Sequence, residues 1–156
     1  MKDPQSLLAV ARFHQTFKHP VLPDPAIPSA ERCQLRLSLI SEELQELEAA
    51  IANQNLVEVA DALCDIQYVL SGAILEFGLA EKFQQLFEEV QRSNMSKACK
   101  NKQEAEETVR HYKRLGTDCY YVESDGVYLV YRSEDNKTLK SIHYSPADLA
   151  SILDKS

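Results

Sequence analysis

The segment between Arg36 and Lys82 contains no Lys, Arg or His, yet it carries nine carboxylates. Helices that face solvent ordinarily mix charges, because Glu–Lys pairs one turn apart relieve repulsion. Nothing inside this segment provides that relief, and the simplest compensation is a cation bound from solution. For an all-oxygen site the natural candidates are the hard ions Mg²⁺, Mn²⁺ and Ca²⁺. The carboxylates are Glu42, Glu43, Glu46, Glu48, Glu58, Asp61, Asp65, Glu76 and Glu81.

The composition indicates one soluble domain. The chain has 156 residues and a net charge of −7, which argues against general binding of nucleic acid because that needs a basic footprint. The N-terminal sequence has neither a signal-peptide layout nor an apolar run that could span a membrane. The four cysteines lack metal-ligand spacing, so we expect reduced thiols in a cytoplasmic protein, and a zinc site is a weak alternative.

The first hundred residues predict a helical core. Asp3-Pro4 is a reasonable start for a first helix that runs to about residue 18, and a proline-rich, extended connector follows over residues 19–28. Ser29 can cap a second helix over about 30–52, and a break at 53–55 precedes a third helix over about 56–77, which Gly78 stops. A fourth helix is predicted over about 80–92.

The pattern changes after residue 102. A helix is predicted over about 103–115, and alternating β-branched and aromatic residues around Asp125-Gly126 predict a hairpin. Residues 133–137 are a candidate third strand, and Ser145-Pro146 is expected to start a short final helix over about 146–154. The expected fold is therefore mainly α, with a small C-terminal β-hairpin or meander as an insertion at about 103–142.

The acidic residues of the second and third helices are expected to converge. Projected at 100° per residue, Glu42, Glu43 and Glu46 lie opposite an apolar side formed by Leu37, Ile40, Leu44, Leu47 and Ile51. Glu58, Asp61 and Asp65 share one face of the third helix, apart from Val59, Leu63, Ile66, Leu70 and Ile74. The short break predicts antiparallel packing of the two helices, which would bring both acidic faces to one patch.

A metal site is the interpretation that we favour for this patch. A solvated acidic face is the commoner explanation for any single glutamate, but six converging carboxylates without a basic partner favour bound Mg²⁺. A di-iron carboxylate bundle is a weaker alternative, because it needs Glu-x-x-His pairs and no histidine lies between His19 and His111. The sequence RSNMSKACKNK supplies Arg92 and Lys97 soon afterwards, and it suits either a polyphosphate or a solvated basic loop.

These motifs resemble a known family. Glu42-Glu43-Leu44-Gln45-Glu46 fits the Glu-Glu-x-x-Glu signature of the all-α nucleoside triphosphate pyrophosphohydrolases, the MazG-like group, and Glu58-Val59-Ala60-Asp61 fits its Glu-x-x-Asp element. The segments EVQRSNMSK and HYSPADL are similar to a bacterial and phage branch of that group. The resemblance covers about residues 7–99 and 139–153, and it implies an all-α NTP pyrophosphatase bundle within a single domain of residues 1–156, whose helical core is about 4–100.

The resemblance also implies the site. Glu43, Glu46, Glu58 and Asp61 would be Mg²⁺ ligands, with Mn²⁺ as an alternative ion, and Glu42 would be a further ligand or would assist the attacking water. Asn94 and Lys97, with Arg92, would contact substrate phosphates. Asp65 is an additional carboxylate on the same face, so both Asp61 and Asp65 are kept as ligands. The implied reaction converts a nucleoside triphosphate to a monophosphate and pyrophosphate.

Several alternatives remain open at this stage. The chain is expected to form a homodimer or a dimer of dimers, as relatives of this group do. A non-catalytic helical module that binds a nucleotide, a metal or a partner is the alternative to an enzyme. The phosphoribosyl-ATP pyrophosphohydrolase of histidine synthesis shares the fold class, but it ranks lower because the SNMSK branch looks closer. A base-stacking pocket around His14 and Phe17 is less favoured than simple aromatic packing, and the base preference is not readable.

Overall fold

The computed structural model describes residues 4–154, and it confirms a mainly helical fold with a small two-stranded antiparallel sheet near the C-terminus. The chain divides into two compact units, Met1–Gln84 and Gln85–Ser156. Among the described residues, no helix is both long and apolar enough to cross a membrane. The elements are α1 (Ser6–Phe17), α2 (Ala30–Ala52), α3 (Leu56–Glu76), α4 (Phe83–Met95), α5 (Lys102–Arg114), β1 (Cys119–Ser124), β2 (Val127–Arg132) and α6 (Ala150–Leu153).

Side-chain caps fix the starts of the two long helices in the first unit. Ser29 Oγ accepts a hydrogen bond from the Arg32 amide at 3.4 Å, and Asn55 Oδ1 accepts one from the Val57 amide at 3.1 Å. Such caps satisfy amide groups that have no partner inside the helix. Because α2 ends at Ala52 and α3 starts at Leu56, the connection is short and the two helices pack against each other along their lengths.

The proline-rich connector lies against the end of α3. The Leu22 amide donates to the Leu75 carbonyl at 3.1 Å, and the Ala26 amide donates to the Phe77 carbonyl at 3.1 Å, so two carbonyls near the helix terminus gain partners. Gly78 follows with φ +66°, and a Cβ at this position would lie 1.9 Å from the Asp24 carbonyl oxygen. Glycine is therefore required here both by the backbone conformation and by the close approach of the connector.

The apolar sides predicted for α2 and α3 are only partly buried within one chain. Ile40, Leu47 and Ile66 are half-buried. On each helix, however, three apolar residues spaced seven positions apart remain exposed. The helices face each other through one set of apolar positions, and the adjacent set is left uncovered in the single chain. The exposed positions are Leu37, Leu44 and Ile51 on α2 and Leu56, Leu63 and Leu70 on α3.

Several element boundaries differ from the sequence prediction. The predicted Asp3 cap lies outside the described residues, and α1 begins at Ser6. Residues 80–82 form turns, with the Lys82 amide donating to the Leu79 carbonyl, so α4 begins only at Phe83, and it continues through Met95 rather than ending near residue 92. The final helix starts at Ala150, later than predicted, because the side chains of Arg92 and Ser96 bind the backbone of residues 146 and 145.

The second unit is built around the predicted hairpin. β1 and β2 pair in antiparallel register across the turn at Asp125-Gly126, with Ser124 opposite Val127. The suggested third strand is reduced to one bridge between Tyr131 and Thr138. A small buried cluster joins α5 to this sheet, and it consists of Cys99, Ala105, Cys119 and Val130.

Candidate functional site

The charges of four predicted carboxylates act on a fifth, Glu43, at the α2–α3 pair. Glu43 is half-buried, and its pKa is raised above its usual value of 4.5, first by burial and then by the charges of Asp65, Glu46, Glu42 and Asp61. Burial and like charges both disfavour the ionised form. The two acidic faces therefore converge as the sequence predicted, and we call these five residues the acidic cluster.

Asp65 contributes more to this repulsion than Asp61 does. It is the strongest of the four neighbouring charges on Glu43, and it is half-buried, whereas Asp61 is exposed. Glu58 is exposed in the first turn of α3, where its amide donates to the Asn55 cap. Asp65 is thus the neighbouring carboxylate that acts most strongly on Glu43.

The donor set fits a hard divalent cation. All five groups are carboxylates, and the half-buried Glu43 faces four negative charges, so its ionised form gains from a nearby cation. Within residues 4–154, however, no three His, Cys, Asp or Glu side chains are gathered in a ready-made metal-binding arrangement. A metal would be held by adjustment of these side chains, with water completing its coordination.

A second carboxylate site, which the sequence analysis did not identify, lies at the other end of α3. Glu76 is 1% exposed and accepts hydrogen bonds from both Arg32 and Arg36 on α2. Burial by itself would raise the pKa of Glu76, but the two arginines more than offset it, and the pKa is lowered. Glu76 therefore belongs to a buried ion cluster rather than to the acidic excess of its segment.

His14 and Gly72 complete this buried ion cluster. His14 Nδ1 donates to the Pro20 carbonyl at 2.9 Å, so its Nε2 can accept from Arg36 Nη2 at 3.3 Å. Burial lowers the pKa of His14, and the nearby Arg36 charge adds to the effect. A Cβ on Gly72 would lie 2.6 Å from Arg36 Nη1, so this glycine admits the guanidinium. The sequence signal for this cluster was an arginine on the inner side of an amphipathic helix.

The basic motif is ordered by the C-terminal segment of the second unit. Arg92 donates to Glu89, to Ser145 Oγ at 3.0 Å and to the Pro146 carbonyl at 2.9 Å. Its guanidinium and the Asp148 amide together lower the pKa of Glu89 to about 2. Ser96 Oγ accepts a hydrogen bond from the Ser145 amide at 2.9 Å. The SNMSK and SPADL motifs, which are distant in sequence, therefore form one hydrogen-bonded structure.

Two of the predicted phosphate contacts are adjacent. Lys97 Nζ donates to Asn94 Oδ1 at 2.8 Å, and Asn94 lies on the last turn of α4. Lys97 is also fixed through its backbone, because its carbonyl accepts a hydrogen bond from the Ser141 amide at 3.1 Å. The structure thus brings Asn94 and Lys97 together, whereas the guanidinium of Arg92 is engaged with Glu89 and residues 145–146.

Comparison with known proteins agrees with the motifs. The chain is 26% identical to uncharacterized protein L479 of Acanthamoeba polyphaga mimivirus, over 94% of each chain. The family model for phosphoribosyl-ATP pyrophosphohydrolase matches residues 10–94, which include α2, α3 and most of α4. This family lies within the MazG-like NTP pyrophosphatase superfamily, whose members generally use divalent metals. The chain belongs to the phosphoribosyl-ATP pyrophosphohydrolase family of MazG-like nucleotide pyrophosphohydrolases.

Proposed function

We propose that this chain is a Mg²⁺-dependent nucleoside triphosphate pyrophosphohydrolase that converts an NTP or dNTP and water to a monophosphate and pyrophosphate. The observation that carries the proposal is that Glu43 is half-buried on α2 while the charges of Asp65, Glu46, Glu42 and Asp61 act on it and raise its pKa. Fixed like charges of this kind are costly in the free protein and become favourable when a cation and a phosphate chain bind. Membership of a pyrophosphohydrolase family supports the same class of reaction.

Each carboxylate has a proposed role. Glu43, Glu46, Asp61 and Asp65 would hold the metal, with Glu58 joining from the edge of the cluster. When bound, Mg²⁺ would neutralise phosphate charge and lower the pKa of a coordinated water. Glu42 is proposed to orient the attacking water and accept its proton. The water oxygen bonds to phosphorus, the P–O bond between the α and β phosphates breaks, and pyrophosphate leaves.

The residues of the second motif are proposed to bind phosphate. Asn94 and Lys97 are adjacent and offer one neutral and one charged donor. For Arg92 the resemblance implies a phosphate contact, but its engagement with Glu89, Ser145 and Pro146 supports a positioning role for this side chain. We therefore propose that Arg92 acts mainly by holding the motif in place.

A homodimer or a dimer of dimers is part of the proposal. The exposed stripe of α2 consists of Leu37, Leu44 and Ile51, and the corresponding stripe of α3 adds three further leucines. Fully burying one such side chain contributes about 1.5–3 kcal/mol, so these stripes favour association with a second copy. Leu44→Asp should shift the mass measured by light scattering towards the monomer, whereas Leu115→Asp, at another exposed leucine, should leave it unchanged.

A cytoplasmic location is proposed as well. All four cysteines are free thiols in the structure, including the buried Cys99 and Cys119. This arrangement agrees with a reducing compartment.

The direct test is release of pyrophosphate from a panel of substrates, with Mg²⁺ and with a chelator. The panel should contain the canonical NTPs and dNTPs and also phosphoribosyl-ATP, because the matching family model carries that name. We expect Mg²⁺-dependent release together with the matching monophosphate. Release only from phosphoribosyl-ATP would replace the proposed substrate class, and release from none would favour a non-catalytic nucleotide-binding module.

A further inference from the structure

Glu104 is a buried carboxylate of the second unit that has no role in the proposed reaction. It lies in the first turn of α5 and is 7% exposed. Across residues 4–154 the structure gives Glu104 no ion pair, although Glu106, two positions later, pairs with Lys102. Burying a carboxylate without a cation is costly unless hydrogen bonds compensate. The donors that bind Glu104 therefore decide what this carboxylate does.

These donors come from both ends of the segment that contains α5, β1 and β2. The Lys100 amide donates to Glu104 Oε2 at 3.0 Å, just before α5 begins. The Ser141 hydroxyl donates to Glu104 Oε1, after the sheet has ended. The side chain of Glu104 thus joins the chain where it enters the α5–sheet segment to the chain where it leaves.

Helix capping accounts for only one of these two bonds. Asn101 is the N-cap of α5 and accepts a hydrogen bond from the Glu104 amide at 2.9 Å. A glutamate at this position commonly reaches back to an amide near the cap, as Glu104 does with Lys100. The bond from Ser141 joins residues 37 positions apart, and a cap does not need it. The contact between Glu104 and Ser141 is therefore a tertiary one.

Ser141 connects this carboxylate to Lys97. Its amide donates to the Lys97 carbonyl at 3.1 Å, and the Lys97 ammonium donates to Asn94 Oδ1 at 2.8 Å. Ser141 is 4% exposed, and its hydroxyl also accepts a hydrogen bond from the His143 amide at 3.0 Å. Because the hydroxyl donates to Glu104 and accepts from His143, its orientation is fixed. A continuous series of hydrogen bonds therefore runs from Glu104 to the pair that we propose to bind phosphate.

Thr108, one turn after Glu104, supports the same contact. Its hydroxyl donates to the Glu104 carbonyl at 2.8 Å and accepts a hydrogen bond from the Ile142 amide at 3.2 Å. Thr108 is fully buried. Two successive turns of α5 thus bind residues 141 and 142, so the position of this stretch depends on the helix.

We propose that Glu104 positions Lys97 for the phosphate chain of the substrate, by holding Ser141 and with it the backbone of Lys97. The proposal rests on the proposed function, because it takes Lys97 as a phosphate contact. It gives α5 a part in substrate binding through a residue that does not itself touch the substrate.

The test is binding of inorganic tripolyphosphate with Mg²⁺ to the full-length protein, measured by isothermal titration calorimetry. Tripolyphosphate carries the phosphate chain without base or sugar, so the result is independent of substrate preference. Glu104→Gln keeps the size of the side chain, but its amide nitrogen cannot accept the second hydrogen bond. It should weaken binding about 2- to 30-fold, the range for residues that act on a site without contacting the ligand.

Glu106→Gln is the matched control. It makes the same substitution on the same helix, at a side chain that is 43% exposed. It should leave the dissociation constant of tripolyphosphate unchanged.

A double-mutant cycle separates positioning from a general loss of structure. Lys97→Met removes the ammonium that is proposed to bind phosphate, so Glu104→Gln should have no further effect in that background. Ser141→Ala removes the hydroxyl donor alone and should reproduce the effect of Glu104→Gln, and it carries the test if Glu104→Gln fails to fold by circular dichroism. Unchanged binding by the folded variants, or an equal loss with and without Lys97, would overturn the positioning role. Absence of tripolyphosphate binding by the wild type at millimolar concentration would overturn it too.

Turnover separates this proposal from the proposed function. If a nucleotide is hydrolysed, Glu104→Gln should raise KM more than it lowers kcat. Tripolyphosphate binding that follows the expected pattern, without pyrophosphate release from any nucleotide, would retain the positioning role and refute the enzyme. Hydrolysis with the same KM in the wild type and in Glu104→Gln would retain the enzyme and refute the positioning role.

Discussion

The α2–α3 pair carries two carboxylate sites whose electrostatics are opposite. At one end, Glu76 is almost fully buried, two arginines bind it, and its pKa is lowered. At the acidic cluster, Glu43 is half-buried among four further carboxylates, and its pKa is raised. A carboxylate that stabilises the fold has its cations within the chain, whereas the acidic cluster gains most from a cation that the protein must bind. The first arrangement is complete in the free protein, and under the proposed function the second would be completed by a bound cation.

The largest expected effect comes from breaking the complete site. Glu76→Gln removes the shared partner of Arg32 and Arg36 and leaves the buried Arg36 guanidinium and the partly exposed Arg32 guanidinium without compensation. We expect a loss of about 3–5 kcal/mol in the free energy of unfolding, measured with urea. Glu81→Gln is the control, because Glu81 is an exposed carboxylate a short distance along the chain. A loss below about 1 kcal/mol for Glu76→Gln would remove the distinction between the two sites.

The acidic cluster should behave in the opposite way. Glu46→Gln is expected to reduce turnover at least 100-fold, since loss of a proposed ligand should cost no less than loss of a residue that only supports ligands. Its folding should be little affected, because the change also removes like-charge repulsion. Glu48→Gln on the same helix is the control, and it should retain turnover. Unfolding of the Glu46→Gln protein would instead assign this residue a structural role.

Divalent ions should stabilise the free protein through the acidic cluster. At about ten times the dissociation constant of Mg²⁺ the gain in stability is about 1.4 kcal/mol, measured by thermal unfolding. Glu43→Gln should reduce this gain. The stabilisation should appear without substrate, because the carboxylates of the acidic cluster are present in the free protein. An unchanged melting temperature across millimolar Mg²⁺ would contradict a preformed site.

The two sites should also respond oppositely to pH. The lowered pKa of Glu76 means that its stabilisation is present above about pH 4.5 and is lost as the pH falls. The raised pKa of Glu43 means that the folded state is favoured when this group is protonated, and the advantage is lost as the pH rises above 4.5. Without divalent ions, Glu43→Gln should therefore be more stable than the wild type at pH 7, and the difference should shrink towards pH 4. A constant difference between these pH values would exclude the acidic cluster as its source.

The smallest expected effect concerns the second unit. Ser145→Ala removes one hydrogen bond to Arg92, whose other contacts remain, so stability should fall by only about 0.5–1.5 kcal/mol. If Arg92 positions Asn94 and Lys97, the variant should raise KM more than it lowers kcat. Ser133→Ala, at an exposed serine of the same unit, is the control. An unchanged KM would limit the Arg92–Ser145 contact to a structural role.

The course of the helical core could be read from the sequence, because its signals are local. Ser29 caps the second helix as expected, the third helix starts directly after the predicted break at residues 53–55, and Gly78 ends it. The start of α6 could not be predicted, since it depends on hydrogen bonds from residues about fifty positions away in the chain. The predicted third strand was also overestimated. In its place the structure has a single bridge between Tyr131 and Thr138.

The sequence by itself determined the acidic faces of the two helices. Helical periodicity places Glu42, Glu43 and Glu46 on one side of α2, and it places Asp61 and Asp65 on one side of α3. The local motifs also identified the family. Tertiary structure decided which carboxylates are compensated. Glu76 appeared in the sequence as one more acidic residue, and only the packing of α2 on α3 brings it to Arg32 and Arg36. The same packing forms a cavity between α1, α2 and α3, because a cavity depends on which faces of three helices meet, and no local pattern contains that information.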